Sequence, residues 1–144
     1  MSFFRIEHLA DEALIVRSKD IPGLIRESIK GIYFLQTERK TYHSLSIKEC
    51  IMAGKKLKTE IKYDIVDILN HFLTIASLNN ALLCDLKFCK WNDLEKNICY
   101  EGKLFLVNYS EIDELKVEIK AVTYSGLTFI KKGFFYELKF LCDV

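Results

Sequence analysis

Apolar residues return at helical spacing in two stretches of the chain, and these stretches predict two helices. The apolar positions are Ile21, Leu24, Ile25, Ile29 and Ile32 in the first, and Ile61, Ile65, Ile68, Leu69, Phe72 and Ala76 in the second. Asp20 can accept backbone N–H groups at the start of the first helix, and Pro22 falls in its first turn. Asn79 and Asn80 tolerate the left-handed conformation and predict the end of the second helix.

Between and after these helices the chain alternates or runs apolar over strand lengths. The predicted strands are residues 3–8, 13–18, roughly 46–53, 81–91, 97–105, 115–124, 127–131 and 134–142. Turn-length gaps containing Gly126 and Gly133 separate the last three, which predicts a C-terminal β-meander. The expected fold class is α+β, with antiparallel-rich sheets and two main α-helices.

The last predicted strand assigns a direction to Asp143. Successive side chains of a strand point to opposite faces. Phe140 and Cys142 share one parity, whereas Lys139 and Asp143 share the other. Asp143 is therefore expected to point away from the main core.

Length and composition favour one domain over residues 1–144. The chain has 144 residues, half of them hydrophobic, which suffices for one core. It lacks a Gly/Ser linker and internal repeats. Its 21 Lys plus Arg nearly balance its 20 Asp plus Glu. The chain as a whole therefore lacks the positive electrostatic field that attracts nucleic acid, and any RNA contact is expected to be local or through a partner.

The sequence favours a cytoplasmic protein without a membrane segment. No apolar run approaches the roughly 20 residues needed to cross a bilayer, and the first residues lack the pattern of a signal peptide. The five cysteines are an odd number, lie mostly in apolar runs and form no CxxC pair. They are expected to be small buried side chains in a reducing compartment.

The common enzyme motifs are absent, and chemistry is concentrated in two short acidic clusters. No Gly-rich phosphate loop, GxSxG, HExxH or EF-hand pattern occurs. Glu7 near the end of the first predicted strand and Asp11 and Glu12 before the second form one cluster, and Asp143, which precedes the last residue, Val144, forms the other. Such hard oxygen donors suit Ca²⁺ or Mg²⁺. Acidic residues at loops and chain ends are also commonly just solvated, so the spacing alone leaves both readings open.

Several blocks resemble the archease family. Residues 6–11 (Ile-Glu-His-Leu-Ala-Asp) resemble the acidic, His-Thr-Ala-Asp start of archeases, residues 67–73 are similar to part of their second helix, and Tyr100-Glu101-Gly102-Lys103 occupies the place of a Gly-Glu pair. The most specific block, residues 119–127, resembles their Lys-Ala-Val/Ile-Thr-Tyr segment, and Asp143-Val144 resembles their closing Asp plus aliphatic residue. Two departures are Leu9, where the family has Thr, and Glu12-Ala13-Leu14, where it has small residues and Gly.

The resemblance implies a non-catalytic protein cofactor. Archeases assist the GTP-dependent tRNA-splicing RNA ligase, which joins 3′-phosphate or cyclic-phosphate ends to 5′-hydroxyls in tRNA splicing and RNA repair. By resemblance, this protein would promote guanylylation and multiple turnover of that ligase and would contact RNA mainly through it. The expected cofactor is a divalent cation, Ca²⁺ in the first place, with Mg²⁺ or Mn²⁺ as alternatives.

The resemblance also assigns residues to this role. Its implied metal ligands are Asp11, Asp143 and Val144, the last through its terminal carboxylate or backbone. Contacts around the ligands or with the partner are expected from Glu7, His8, Lys120 and Thr123.

Two other functions are compatible with the sequence. Aromatic residues on the predicted strands are compatible with a chaperone-like protein or an RNA-modification partner, although aromatics on strands more often belong to the core. Carboxylate-held cations can also activate water, as in a metal-dependent phosphohydrolase, although no general base is evident beside these acids.

Overall fold

The computed structural model describes residues 2–6 and 12–144, which form two helices and eight strands. In chain order the elements are β1 (Ser2–Ile6), β2 (Glu12–Ser18), α1 (Ile21–Thr37), β3 (Ile47–Leu57), α2 (Ile61–Leu78), β4 (Ala81–Asp93), β5 (Asn97–Asn108), β6 (Ala121–Val122), β7 (Thr128–Lys132) and β8 (Phe135–Asp143). A single 3₁₀ turn, Tyr109–Glu111, follows β5. This content confirms the predicted α+β class.

The strands form two antiparallel sheets. The first has the order β1-β2-β8-β6, and β7 also pairs with β8. The second has the order β3-β5-β4. The helices pack between them: α1 contacts β1, β2, β4 and β8, and α2 contacts β4 and β6.

The predicted helix ends are confirmed. The Asp20 carboxylate accepts the N–H of Gly23 at 2.7 Å and so caps α1, with Pro22 in the first turn. After α2, Asn80 has a φ of 51°, the left-handed conformation that Asn tolerates.

One main core joins the helices to both sheets. Its fully buried members include Leu14 of β2, Ile25 of α1, Phe72 of α2, Leu104 of β5 and Phe140 of β8. Burial of a side chain of this size contributes about 1.5–3 kcal/mol. The same apolar stripes that predicted the helices therefore hold β8 and its end against the rest of the molecule.

Two predictions about the C-terminal part were wrong in detail. Residues 115–124 were expected to form a strand, but only Ala121–Val122 pair with β8. The residues before them are held by Gln36, whose Oε1 accepts the N–H of Ile119 at 3.0 Å and whose main-chain oxygen accepts the N–H of Lys116 at 2.8 Å. Their alternation therefore reflects packing of Val117 and Ile119 on the core, not strand pairing.

The predicted meander is also reduced to a single hairpin. β7 and β8 form the expected hairpin, with Gly133 at a φ of 59°. β6, however, pairs with β8 and not with β7. The two short strands share one edge of β8, β6 beside its last residues and β7 beside its first.

None of the five cysteines forms a disulfide, and Cys84 and Cys142 are buried as predicted. Cys50 and Cys99 are half-buried and Cys89 is exposed, so the prediction of burial was wrong for these three. Burial, with the nearby Asp85 carboxylate, raises the pKa of the Cys84 thiol to about 12. No helix in the described part of the chain is long and apolar enough to cross a membrane.

Candidate functional site

The end of β8 is fixed between β2 and β6. Cys142 lies opposite Glu12 of β2 on one side, and Asp143 lies opposite Ala121 of β6 on the other. Cys142 is buried, whereas Asp143 and Val144 are exposed. The prediction that Asp143 points away from the core is confirmed.

Lys120 and Thr123 adjoin this end through their main chains. The N–H of Lys120 donates to the main-chain oxygen of Asp143 at 2.9 Å, and the N–H of Thr123 donates to that of Leu141 at 2.9 Å. The side chain of Lys120 is exposed. The structure thus brings Lys120, Thr123, Asp143 and Val144 to one end of the first sheet.

The hydroxyl of Thr123 differs from its surroundings because it is buried yet makes no hydrogen bond within the described residues. Burying a hydroxyl without a partner costs free energy. Packing alone therefore does not account for a threonine here. Because it has no exposed area, the hydroxyl does not offer a contact to a partner molecule.

Helix α2 braces the segment that carries these residues. The Asn70 side chain donates from Nδ2 to the main-chain oxygen of Val122 at 3.0 Å and accepts the N–H of Val122 at 2.8 Å. One turn earlier, the Asp67 carboxylate accepts the hydroxyl of Tyr124. The archease-like block on α2 and the most specific block, at residues 119–127, therefore contact each other directly.

Lys56 of β3 connects helix α2 to the second sheet. Its ammonium lies 3.3 Å from carboxylate oxygens of both Asp64 and Asp67. Burial acts most strongly on the pKa of Lys56 and lowers it, but hydrogen bonds to Asp67 and Asp64 together outweigh burial and raise it. The hydrogen bond to Asp67 is likewise the main reason why the pKa of Tyr124 is raised.

Glu12 is already engaged by Arg5. Its two carboxylate oxygens accept hydrogen bonds from Arg5 Nε at 3.2 Å and from an Arg5 terminal nitrogen at 3.0 Å. The Asp143 carboxylate, in contrast, makes no hydrogen bond or ion pair with any residue in the described ranges. Of these two neighbouring acids, only Asp143 keeps its oxygens available.

Part of the predicted site lies outside the described residues. These positions are Glu7, His8 and Asp11. Among the residues that are described, no group of three His, Cys, Asp or Glu side chains is placed to hold a metal. The donor chemistry at the end of β8, carboxylate and main-chain oxygen, nevertheless fits a hard cation, and Asp11 immediately precedes Glu12 in the sequence.

A second polar cluster, centred on Asp85, was missed by the sequence analysis. Asp85 is only 4% exposed. Its carboxylate accepts hydrogen bonds from Arg26 at 3.0 and 3.2 Å and from the Tyr42 hydroxyl at 2.7 Å. Burial alone would raise the pKa of Asp85, but the bonds from Arg26, Tyr42 and the Leu86 N–H lower it overall. The available indication was an aspartate inside the apolar run of residues 81–86, since a buried carboxylate needs a partner.

The Asp85 cluster borders an open cavity of about 480 Å³ between the start of α1 and β4. The bidentate Arg26–Asp85 pair joins α1 to β4, and Tyr42 attaches the α1–β3 connection to the same carboxylate. Both carboxylate oxygens of Asp85 therefore accept hydrogen bonds within the fold. The arrangement therefore serves to hold these elements together.

The comparisons with known proteins agree with the observed fold. The family model described as the archease protein family (MTH1598/TM1083) matches residues 3–144. The fold is similar to the solution structure of protein 1598 from Methanobacterium thermoautotrophicum, with a TM-score of 0.76, 15% identity, and coverage of 99% of this chain and 98% of that one. It is also similar to the crystal structure of an archease, possible chaperone, from Thermotoga maritima, with a TM-score of 0.57, 18% identity, and coverage of 96% and 94%.

The solved structures share the fold at low identity, and no curated protein sequence matches the chain. The family model, in contrast, covers both blocks that α2 and the C-terminal segment bring together. This protein belongs to the archease family.

Proposed function

We propose that this protein activates a GTP-dependent RNA ligase that joins 3′-phosphate or cyclic-phosphate ends to 5′-hydroxyls, and that it does so with a divalent cation held at the end of β8. The protein would itself be non-catalytic and would promote guanylylation and repeated turnover of the ligase. The ligase would be its partner in tRNA splicing and RNA repair, in the cytoplasm. Membership of the archease family supports this proposal.

The observation that carries the proposal is the state of Asp143. Its carboxylate is exposed and makes no bond to another described residue, while its main chain is fixed by the Lys120 N–H and by pairing with β6. A carboxylate that has available oxygens and is carried by a fixed main chain is suited to bind a ligand outside its own fold. Surface carboxylates on mobile loops lack this preorganisation.

Asp11 is the proposed second carboxylate. It directly precedes Glu12 in the sequence, and Glu12 pairs with Cys142, the residue before Asp143. Glu12 itself is bound by Arg5. We therefore assign the ligands to Asp11, Asp143 and a main-chain oxygen of Val144, with Ca²⁺ favoured and Mg²⁺ or Mn²⁺ as alternatives.

The neighbouring residues would serve the contact with the ligase. A bound hard cation can polarise phosphate oxygens and orient them. The exposed side chain of Lys120 would attract the phosphates of the ligase's nucleotide or RNA. Thr123 would support this contact through its main chain, whose N–H donates to the main-chain oxygen of Leu141. Glu7 and His8 are proposed to lie around the ligands or at the partner contact. The near-neutral charge of the chain favours RNA contact through the ligase.

A multiple-turnover ligation assay with the cognate ligase tests this function. The parent protein should increase the yield beyond one product per ligase, and a chelator should remove the increase. Asp143→Ala should fail to stimulate at any concentration of added cation. The protein without the ligase should neither join nor cleave the RNA.

Asp113→Ala provides a matched control because Asp113 is also an exposed aspartate but lies in the connection before β6. This variant should stimulate like the parent. Equal stimulation by Asp143→Ala and Asp113→Ala would contradict the proposal, provided that both variants unfold at the same denaturant concentration as the parent.

A chaperone-like role is the second candidate, because the similar Thermotoga maritima protein is described as a possible chaperone. Suppression of aggregation of an unrelated, thermally unfolding protein would support it. In that case Asp143→Ala should act like the parent, since protection of exposed apolar surface does not require a carboxylate. The same variant therefore separates the two functions.

A further inference from the structure

Strand β3 forms a free edge of the second sheet. The order β3-β5-β4 leaves β3 with one partner, β5, among the described strands. β3 has 11 residues, contains no proline and pairs with β5 without a register shift. The opposite edge, β4, contains two shifts and is packed against α1 and α2. Natural sheets usually shorten, bulge, cover or charge such an edge. β3 is long and unbulged, and its charges are Lys48, Glu49, Lys55 and Lys56.

The outward face of β3 exposes apolar side chains. Ile51 is 84% exposed and Leu57 is 66% exposed. Met52, which points to the opposite face, is buried in the main core. The apolar residues therefore lie on the open side of a strand whose main-chain groups are also unpaired along one edge.

The sequence of β3 is complementary to itself in one antiparallel register. If two copies pair with Met52 on the two-fold axis, all 11 residues find a partner. Three outward-facing pairs then repeat on each side of the axis: Ile47 with Leu57, Glu49 with Lys55, and Ile51 with Ala53. Apolar residues lie opposite apolar residues, and Glu49, whose carboxylate also lies 3.3 Å from Lys103 Nζ of its own sheet, lies opposite Lys55.

Neighbouring registers lose this match. A shift of two residues sets Glu49 opposite either Leu57 or Ala53, and Lys55 opposite either Ile51 or Ile47. A shift of one residue would turn the outward face of one copy toward the helix side of the other. The register through Met52 is therefore the one in which apolar pairs, charge pairs and strand faces all match between the two copies.

The helix side of β3 is compatible with the same register. It would place Lys48 opposite Lys56. The Lys56 ammonium already lies 3.3 Å from both Asp64 and Asp67, and Lys48 Nζ lies 3.5 Å from Asn79 Oδ1. The carboxylates of Asp64 and Asp67 therefore offset the repulsion between Lys48 and Lys56.

We propose that two copies of this protein form a symmetric dimer through antiparallel pairing of β3, which joins two three-stranded sheets into one of six strands. The interface is the same surface on both copies, so the contact closes after two chains and leaves no free end for further growth. The proposal does not depend on the cation or on the ligase.

Charge reversal at the predicted pair tests the dimer by sedimentation of the full chain between about 1 μM and about 1 mM. The parent protein should dimerise with concentration. Glu49→Lys and Lys55→Glu should each raise the dissociation constant about tenfold, because each change creates two repulsive pairs per dimer. The double variant, and an equimolar mixture of the two single variants, should both regain dimerisation.

Glu101→Lys is the control, since Glu101 lies one strand inward on β5, opposite Ala53. It should leave the dissociation constant unchanged. A parent protein that stays monomeric throughout the range would overturn the proposal and would leave this edge to a strand of another protein. A dimer that ignores both reversals, or single variants that do not recover when mixed, would overturn it as well.

Discussion

The side-chain amide of Asn70 holds the main chain of Val122 in both directions. Its Nδ2 donates to the carbonyl at 3.0 Å, and its Oδ1 accepts the N–H at 2.8 Å. Val122 pairs with Cys142 on its other side. Helix α2 therefore positions β6, and β6 positions the end of β8 where Asp143 lies.

Asn70→Ala should loosen this end of the molecule. Both main-chain groups of Val122 would lose their partner, which costs about 1–3 kcal/mol of the free energy of unfolding. Urea denaturation should report this loss, and the Val122 amide should exchange hydrogen faster. Thr74→Ala, on the same helix but exposed and bonded only to the Asn70 carbonyl, should change both quantities little. Equal stability of Asn70→Ala and the parent would show that the brace is unimportant.

Asp85 should make the protein sensitive to acid. Its pKa is lower in the folded state than in the unfolded chain. Its contribution is therefore present above the unfolded value near 3.8 and is lost as the pH falls through the folded value. Asp85→Asn should be less stable than the parent at neutral pH, and the difference should shrink in the acid range below about pH 4.

Unfolding free energies measured at neutral pH and at several acid pH values check this expectation. Asp113→Asn is suitable as a control because Asp113 is exposed, and its stability should parallel that of the parent. A difference between Asp85→Asn and the parent that stays constant with pH would contradict the assigned role of the ion pair.

Thr123→Val separates a structural role from a functional one. The Thr123 hydroxyl is buried without a hydrogen bond among the described residues, so its replacement by a methyl group of similar shape should leave stability unchanged or raise it by up to about 1 kcal/mol. Ligase stimulation should also stay like that of the parent, because the buried hydroxyl does not reach the ligase. A variant that is clearly less stable than the parent would indicate that the hydroxyl does have a partner in the fold.

Periodicity was informative wherever a segment packs through one repeating face. The apolar stripes of α1 and α2 and the parity of Phe140 and Asp143 could be predicted because each depends on local geometry alone. The same reasoning failed for residues 115–124. Alternate packing of Val117 and Ile119 resembles a strand pattern, but the main chain there is bound by Gln36 of α1, which is remote in sequence.

Contacts between remote segments were also the part of the site that sequence could not supply. The bonds from Asn70 to Val122 join residues 52 positions apart, and the pair of Arg26 with Asp85 joins residues 59 positions apart.

Strand β3 also extends four residues beyond its predicted end. The ring of Tyr100 fills the space beside Gly54 that a side chain would otherwise occupy.

Calcium titration by calorimetry tests the central claim most directly, because it requires neither the ligase nor RNA. The parent should bind one Ca²⁺ per chain, and Asp11→Ala and Asp143→Ala should each lose this binding. The double variant should be no weaker than either single variant, since all three disrupt the same ion site. Unchanged Ca²⁺ affinity in either single variant would contradict the claim that the two carboxylates share one cation.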